Sequence, residues 1–553
     1  MYIKYTYTMA ALVSALDIKN SIQYGENNHI EYSWSEEQQE QICQLYFQLV
    51  RTNDVKQIKK LKSVYRKIYE EGDREKKVLL LKMLANTRDI DEGKGEYTLS
   101  LELLDELMNI DEKVGKEMLK RFVGFKSEDK PFGSWKDLKY FMNIRKDRSV
   151  KLVDLYVDQM RLEESSDKNS LVWKWSPREK SRKFGWIFEE IAKCYFAEFG
   201  KYDWNSKGIN KAKTQLRKKI SAKNRSLDTT QIKQCEKHWG DIDFNRVTSV
   251  TMNRQRGAFM NKKNVDSEDR IQCKNNLEKY MEDVKSGKKK MKGKNVGMID
   301  FVKQALNCDD EKDKDILNEQ WKSNSKETSK LGEIVPLVDT SGSMEIDEMK
   351  PLLSAIGLGL RVAEKSKLGK RVMTFNAKPE WIKLDDKEDF VADVQKIKKI
   401  PWGMNTNFHK AMDLILDTIV ELKLPSEEVE NLILAVFSDM QFDAAENRMA
   451  SEEKFGSNTV REILEKKYHD AGIKICNKPY KVPKIIFWNL RVTEGFPVLS
   501  YHDGYAMMAG YSATALNEFS EDGLNGLQNF TPWNVLIKTL DKERYNKLSE
   551  LIE

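Results

Sequence analysis

Near residue 330 the apolar residues of this chain change period, and the change dictates two kinds of architecture in one polypeptide. From about Ser35 to Leu306 they recur at helical spacing, as in Gln41–Val50, Lys77–Leu84 and Leu99–Met108. Turn signals at Glu71-Gly72-Asp73, Gly93-Lys94-Gly95 and Lys130-Pro131-Phe132-Gly133 punctuate this region at irregular intervals. Stacked helix pairs in a solenoid of HEAT-like repeats fit it better than a compact bundle. Beyond 330, short β-rich runs at Ile334–Val338, Arg371–Phe375, Leu432–Phe437 and Ile485–Trp488 alternate with helical periodicity, including a helix from about Ile346 to Glu364. That alternation predicts a doubly wound, mainly parallel sheet covered on both faces. The expected organisation is a segment 1–34, an α-helical repeat domain 35–308, a linker 309–330 without an apolar anchor at Ser323–Lys330, an α/β domain 331–530 and a C-terminal helix 531–553.

A chain of 553 residues exceeds what one core serves, and 40% hydrophobic with 33% charged residues is the balance of a water-soluble globular protein. No apolar run is long enough for a membrane span, and Met1–Ile18 lacks the basic leader and apolar block of a signal peptide. Six dispersed cysteines form no Cys-x-x-Cys pair and no zinc spacing, so reduced thiols and an intracellular, cytoplasmic setting are expected. Only five histidines occur, which argues against histidine-based catalysis. The net charge of +6 is unevenly spread: residues 201–300 hold 25 Lys+Arg against 12 Asp+Glu, whereas 331–553 hold 28 against 35. The middle of the chain can face a polyanion, and the C-terminal part cannot.

The run Glu333-Ile-Val-Pro-Leu-Val338 leads directly into Asp339-Thr-Ser-Gly-Ser343, which puts a carboxylate and two hydroxyls on a tight loop at the C-terminal edge of a sheet. Hard cations such as Mg²⁺, or Mn²⁺ in its place, take such oxygen donors, and Gly342 offers a turn between the serines. Asp339 and Ser341 could instead simply cap the following helix. The Asp-x-Ser-x-Ser pattern resembles the metal-ion-dependent adhesion site of von Willebrand factor A domains. Two later segments in the right order extend the match: Gly403–Phe408, whose Thr406 corresponds to the threonine ligand, and Leu432–Asp439, whose Asp439 corresponds to the second aspartate. The resemblance implies that Ser341, Ser343 and Thr406 bind metal directly or nearly so, and that Asp339 and Asp439 often act through water. An acidic side chain from a protein partner would then complete the coordination. No Gly-x-Ser-x-Gly elbow surrounds the serines, and His409 reads as a helix-face residue, so no catalytic residue is assigned. Gly93-Lys94-Gly95 lacks the spacing of a phosphate loop.

In the helical region, Arg88–Tyr97, Phe132–Leu138, Trp173–Pro177 and Trp239–Val247 resemble the ordered landmarks of the DUF2828 family. In the C-terminal part Phe487–Arg491, Pro497-Val498 and Met508–Ser512 resemble the same family. That family is in turn similar to the TROVE-module Ro ribonucleoproteins, which join helical repeats to a von Willebrand A-like domain and bind structured and single-stranded RNA. The resemblance implies this architecture and an RNA partner. Where TROVE-like sequences carry two further arginines in the first landmark, this chain has Asp91 and Tyr97, while Arg88 and Lys94 remain as candidate RNA contacts or as ion-pairing groups. The densest basic stretch is Lys207–Arg225, with Lys211, Lys213, Arg217, Lys218, Lys219 and Lys223, preceded by Tyr202 and Trp204. Lys285–Lys294 is a second one. Such lysines neutralise phosphates and neighbouring rings can stack on bases, although a lysine run is often only a solvated helix face.

Overall fold

The computed structural model describes residues 22–127, 129–165, 170–197, 204–403, 405–444, 458–520 and 529–552. Tyr202, Met404 and Met1–Ile18 lie outside the described residues. The chain divides into two compact units: one of Met1–Lys76, Gly297–Trp321 and Ser325–Asn546, the other of Lys77–Val296, Lys322–Asn324 and Lys547–Glu553.

The first unit is built on a six-stranded sheet. A small antiparallel hairpin, β1 (Ile22–Tyr24) and β2 (Ile30–Tyr32), precedes it in the chain. The sheet strands are β3 (Ile334–Asp339), β4 (Arg371–Phe375), β5 (Glu380–Lys383), β6 (Ile433–Ser438), β7 (Lys484–Asn489) and β8 (Tyr505–Ala509), in the spatial order β5-β4-β3-β6-β7-β8. All pairings are parallel except that of β5 with β4. Successive residues of a strand point to opposite faces, and every residue of β3 and β6 is buried, so both faces are covered as the run pattern predicts. The helix Ile346–Lys365 lies on β3 so closely that a Cβ on Gly359 would meet the Val338 side chain at 2.4 Å. The arrangement is that of a von Willebrand A-like domain. The sequence reading finds β3, β4, β6 and β7 but not β5 and β8.

Three spans differ from expectation. Residues 35–76, expected in the helical region, belong to the α/β unit. The helix Gln38–Gln48 packs against the edge strand β8, and its buried Gln48 amide is satisfied by the Thr493 N–H at 2.8 Å and the Gly495 carbonyl at 3.3 Å. The polar stretch expected as a linker is largely the helix Glu311–Ser325, because Ile316, Leu317 and Trp321 form one buried stripe among its charges. Trp321 stacks on Phe390 with centroids 3.9 Å apart, and the buried Arg361 guanidinium lies 4.2 Å from its ring centre. The segment after 531 is also not a single helix. Pro532–Leu540 ends at Asp541, and Glu543–Asn546 with the 3-10 turn Lys547–Leu551 follow.

The second unit is mainly helical, and neighbours in sequence are neighbours in space. Thr98–Ile110 packs on Glu112–Val123, Val153–Glu164 on Gly185–Ala197, and Gly185–Ala197 on Ser206–Ser226. Asp111 closes one helix and caps the next, accepting from the Val114 N–H at 3.0 Å. Among the described residues no helix is long and apolar enough to cross a membrane. None of the six cysteines forms a disulfide bond.

Two outcomes follow from this packing. Trp321→Ala removes the centre of the Phe301–Phe390–Arg361 cluster and should cost about 3–5 kcal/mol in chemical unfolding. A loss under about 1 kcal/mol, as expected for an exposed linker residue, would refute the packing. Glu40 is buried, accepts the Ser500 N–H at 2.7 Å, and burial pushes its carboxyl up to about 7, with the Glu37 charge acting in the same direction. The folded state therefore holds a proton that the unfolded chain releases near the ordinary carboxylate value. This contribution is complete below the unfolded value and is lost as pH rises through about 7. Glu40→Gln should flatten the fall in melting temperature between about pH 5 and pH 8, and an unchanged profile would show that Glu40 does not carry it.

Candidate metal centre

Because β3, β6 and β7 run parallel, their C-terminal ends share one edge of the sheet, and three separated motifs meet there. Asp339 ends β3 beside Ser438, the last residue of β6. The Ser438 hydroxyl donates to Asp339 Oδ2 at 2.5 Å and the Ser341 N–H donates to Oδ1 at 2.9 Å. The two serine hydroxyls of the loop, Ser341 and Ser343, are 3.1 Å apart. Gly342 opens the short 3-10 turn Gly342–Glu345 without left-handed φ. The unusual backbone comes later, where Asp347, Glu348 and Met349 all take positive φ just before Pro351.

The threonine loop is tied to both aspartate loops. Gly403, at φ +94°, donates its N–H to the Thr340 carbonyl at 2.7 Å, and the Thr406 carbonyl accepts from the Asp443 N–H at 2.9 Å. Asn407 caps the following helix Phe408–Leu422, which leaves Thr406 in the loop, almost fully buried. Asp439 is fully buried, with Oδ1 accepting from the Gln441 N–H at 3.2 Å and Oδ2 from Arg491 Nε at 3.0 Å. The other face of the Arg491 guanidinium binds Glu26 through two bonds of 3.0 and 2.7 Å. Arg491 thus bridges an inner and an outer carboxylate. Burial and then the Asp439 charge push the Asp339 carboxyl up to about 7, while hydrogen bonds from Ser341 and Ser438 pull the other way.

The donor chemistry is hydroxyl-rich: two buried carboxylates with Ser341, Ser343 and Thr406, which suits a hard, oxygen-seeking divalent cation. Among the described residues no group of three or more His, Cys, Asp or Glu is placed to hold a metal ion, so a site here depends on its hydroxyls. The helix-cap role open to Asp339 is not the one it plays, since both its oxygens serve the loop and the neighbouring strand. His409 is buried and held neutral, its value lowered to about 4 by burial and then by Lys467. The sequence reading did not single out Ser438 or Arg491 as site residues. Ser438 ends a β-run and Arg491 lies two residues beyond the end of β7, and that nearness to a strand end is the signal that could have marked them.

The residues expected to contact RNA fall into two groups. Arg88 and Lys94 are buried. Arg88 is held by Asp137 through bonds of 2.7 and 3.0 Å, and burial drives Lys94 well below the ordinary lysine range. Both are corrected here to interior structural groups: the glycine-rich turn that carries Lys94 folds back on Asn86 and Thr87 instead of presenting itself to solvent. The others lie on the helix Ser206–Ser226. Lys213 pairs with Glu189 at 3.2 Å, Arg217 with Glu179 at 2.7 Å and Lys219 with Glu164 at 2.6 Å. Lys223 donates to the Glu163 carbonyl at 3.3 Å, while Lys211 and Lys218 are exposed. Trp204 is 43% exposed.

Residues 151–334 match the model of the family described as domain of unknown function DUF2828, in line with the landmarks Trp173–Pro177 and Trp239–Val247. Residues 333–547 match a different model, domain of unknown function DUF7788, and the C-terminal landmarks fall within that span. The chain is 26% identical over 500 residues to uncharacterized protein L728 of Acanthamoeba polyphaga mimivirus, covering 84% of this chain and 80% of that one. A crystal structure of the Deinococcus radiodurans RO (RSR) protein aligns at 12% identity over 88% of this chain and 100% of that chain, with a TM-score of 0.32.

Removing the guanidinium leaves Asp439 buried beside Asp339 with its countercharge gone. Arg491→Ala should destabilise the protein by about 3 kcal/mol in urea unfolding. Glu26→Ala, which deletes only the exposed end of the same bridge, should cost less than about 1 kcal/mol. Equal losses from the two variants would show that the buried half of the bridge is not what matters.

Proposed function

We propose that this chain is a non-catalytic binding protein that engages RNA through its helical unit and holds a divalent cation in its α/β unit. The observation that carries the cation half is the meeting of Asp339, Ser341, Ser343, Thr406 and Asp439 on one sheet edge, all from loops joined by hydrogen bonds. Ser341, Ser343 and Thr406 would hold the ion, with Asp339 and Asp439 balancing its charge. Mg²⁺ is the simplest occupant and Mn²⁺ the alternative. When bound, such an ion supplies a positive centre to which an anionic group of a ligand can attach. A catalytic reading has no support, since the serines lack a histidine base and His409 is enclosed.

RNA binding is supported by the cation excess of residues 201–300. A second reading, a metal-dependent scaffold whose protein partner donates a carboxylate to the ion, is favoured by one observation: Lys213, Arg217 and Lys219 are already paired with glutamates.

Calorimetric titration with Mg²⁺ or Mn²⁺ tests the cation half. Asp339→Ala combined with Ser341→Ala should abolish the binding heat while the helical unit stays folded, and binding as tight as the parent's would overturn the site. For the RNA half, affinity of the full chain for a labelled RNA should fall steeply with salt, by about one slope unit for each phosphate contact. If the parent binds no RNA near physiological salt, the scaffold reading replaces it.

A further inference from the structure

Three of the landmarks in the helical unit, far apart in sequence, converge on one surface. The Tyr97 hydroxyl donates to the Lys136 carbonyl at 3.3 Å, and Lys139 Nζ donates to the Trp175 carbonyl at 3.1 Å. Arg88 and Asp137 lock the first landmark to the second from below. On top of this frame runs a row of half-buried rings: Tyr97 meets Tyr140 edge-on at 5.2 Å, and Tyr140 meets Phe184 at 4.8 Å. Lysines are interleaved with the rings. Lys136 Nζ lies 4.8 Å from the centre of Tyr97 and 5.4 Å from that of Tyr140. Lys183 lies 4.8 Å from Tyr140, and Lys139 sits between Trp175 at 5.5 Å and Phe184 at 5.6 Å.

Unlike the lysines of Ser206–Ser226, these carry no neutralising partner: among the described residues no carboxylate stands within ion-pair distance of Lys136, Lys139 or Lys183. Asp137, whose charge reaches Lys136, is held by Arg88. The positive charges repel one another. Burial and then the charges of Lys136 and Arg178 bring Lys139 down to about 8; burial lowers Lys136 as well, with Asp137 opposing and Arg88 and Arg254 acting in the same direction. A folded protein that gathers unpaired cations against its own rings gains by meeting an anion there.

We propose that this ring-and-lysine surface is the site at which single-stranded RNA docks, with unpaired bases stacking on Tyr140, Phe184 and Trp175 and phosphates taken by Lys136, Lys139 and Lys183. The proposal rests on the RNA reading above and moves its contact away from Ser206–Ser226. A duplex offers phosphates but keeps its base faces inside, so rings in a row reward only unstacked bases. The lysine ammonium groups now beside the rings sit on flexible stems, and an exposed cation–π contact is weaker than base-on-ring stacking, so a base can displace the ammonium group toward a phosphate.

The test is fluorescence anisotropy of the full chain with a labelled single-stranded oligouridylate and with an RNA duplex of equal length. Tyr140→Leu with Phe184→Leu should weaken single-strand binding about ten-fold or more while leaving the salt slope unchanged. Lys136→Gln with Lys183→Gln should weaken it and flatten the slope by about one and a half units, whereas Lys211→Gln with Lys218→Gln should do little. Independently of whether the aromatic variant folds, a 5-iodouridine-bearing oligouridylate should photocrosslink the parent within Trp135–Arg145 or within 172–184. The site assignment is overturned, with RNA binding intact, if crosslinks fall only in Ser206–Ser226 or if Lys211→Gln with Lys218→Gln is the damaging variant. Equal affinity for duplex and single strand overturns the stacking. A parent that binds neither RNA overturns the RNA reading and this proposal with it.

Discussion

Two carboxylates buried side by side at the ends of adjacent parallel strands govern the α/β unit. Asp339 and Asp439 cannot both stand ionised in a dry interior without compensation. The fold answers with the Ser438 hydroxyl, the Ser341 and Gln441 N–H groups and the Arg491 guanidinium. The loops after β3, β6 and β7 are therefore fixed by one charge problem, and the threonine loop joins them through backbone bonds to Thr340 and Asp443. A sheet edge built this way is held in shape by its own hydrogen bonds and ion pair.

Much of this was readable beforehand, because a parallel strand buried on both faces writes itself as a continuous apolar run and a loop that must turn charge inward writes Asp-x-Ser-x-Ser. β5 was not readable: Glu380–Lys383 is a half-exposed edge strand with no apolar run to announce it. The linker was misjudged for the opposite reason. Glu311–Ser325 is almost wholly polar, and its only apolar residues, Ile316, Leu317 and Trp321, are all buried. Composition averages away a stripe that narrow.

The helical unit teaches a different lesson about charge. Counting lysines pointed to Ser206–Ser226, yet that helix spends several of its cations on glutamates of neighbouring segments. The lysines of 135–145 and 172–184 were inconspicuous in a count, being interspersed with aromatic residues. Which cation remains unpaired is a property of packing across helices, and no one-dimensional tally contains it. Arg88 makes the same point in reverse, since its partner Asp137 lies in a landmark of its own.

The α/β unit is discontinuous: its sheet begins at residue 334, but the helix against edge strand β8 comes from Gln38–Gln48, and Gln48 closes hydrogen bonds with residues near 493. On the ribosome these early residues emerge hundreds of positions before their partners exist. The stretch 77–296 makes up most of the second unit, to which only 322–324 and 547–553 are added later, and it can begin to condense in the meantime. The first segment has to wait with Ile42, Leu45 and Phe47 uncovered until the last strands are made. Synthesis thus imposes an order of assembly in which most of the helical unit is made before the sheet edge carrying Asp339 and Asp439 is completed, near the end of translation.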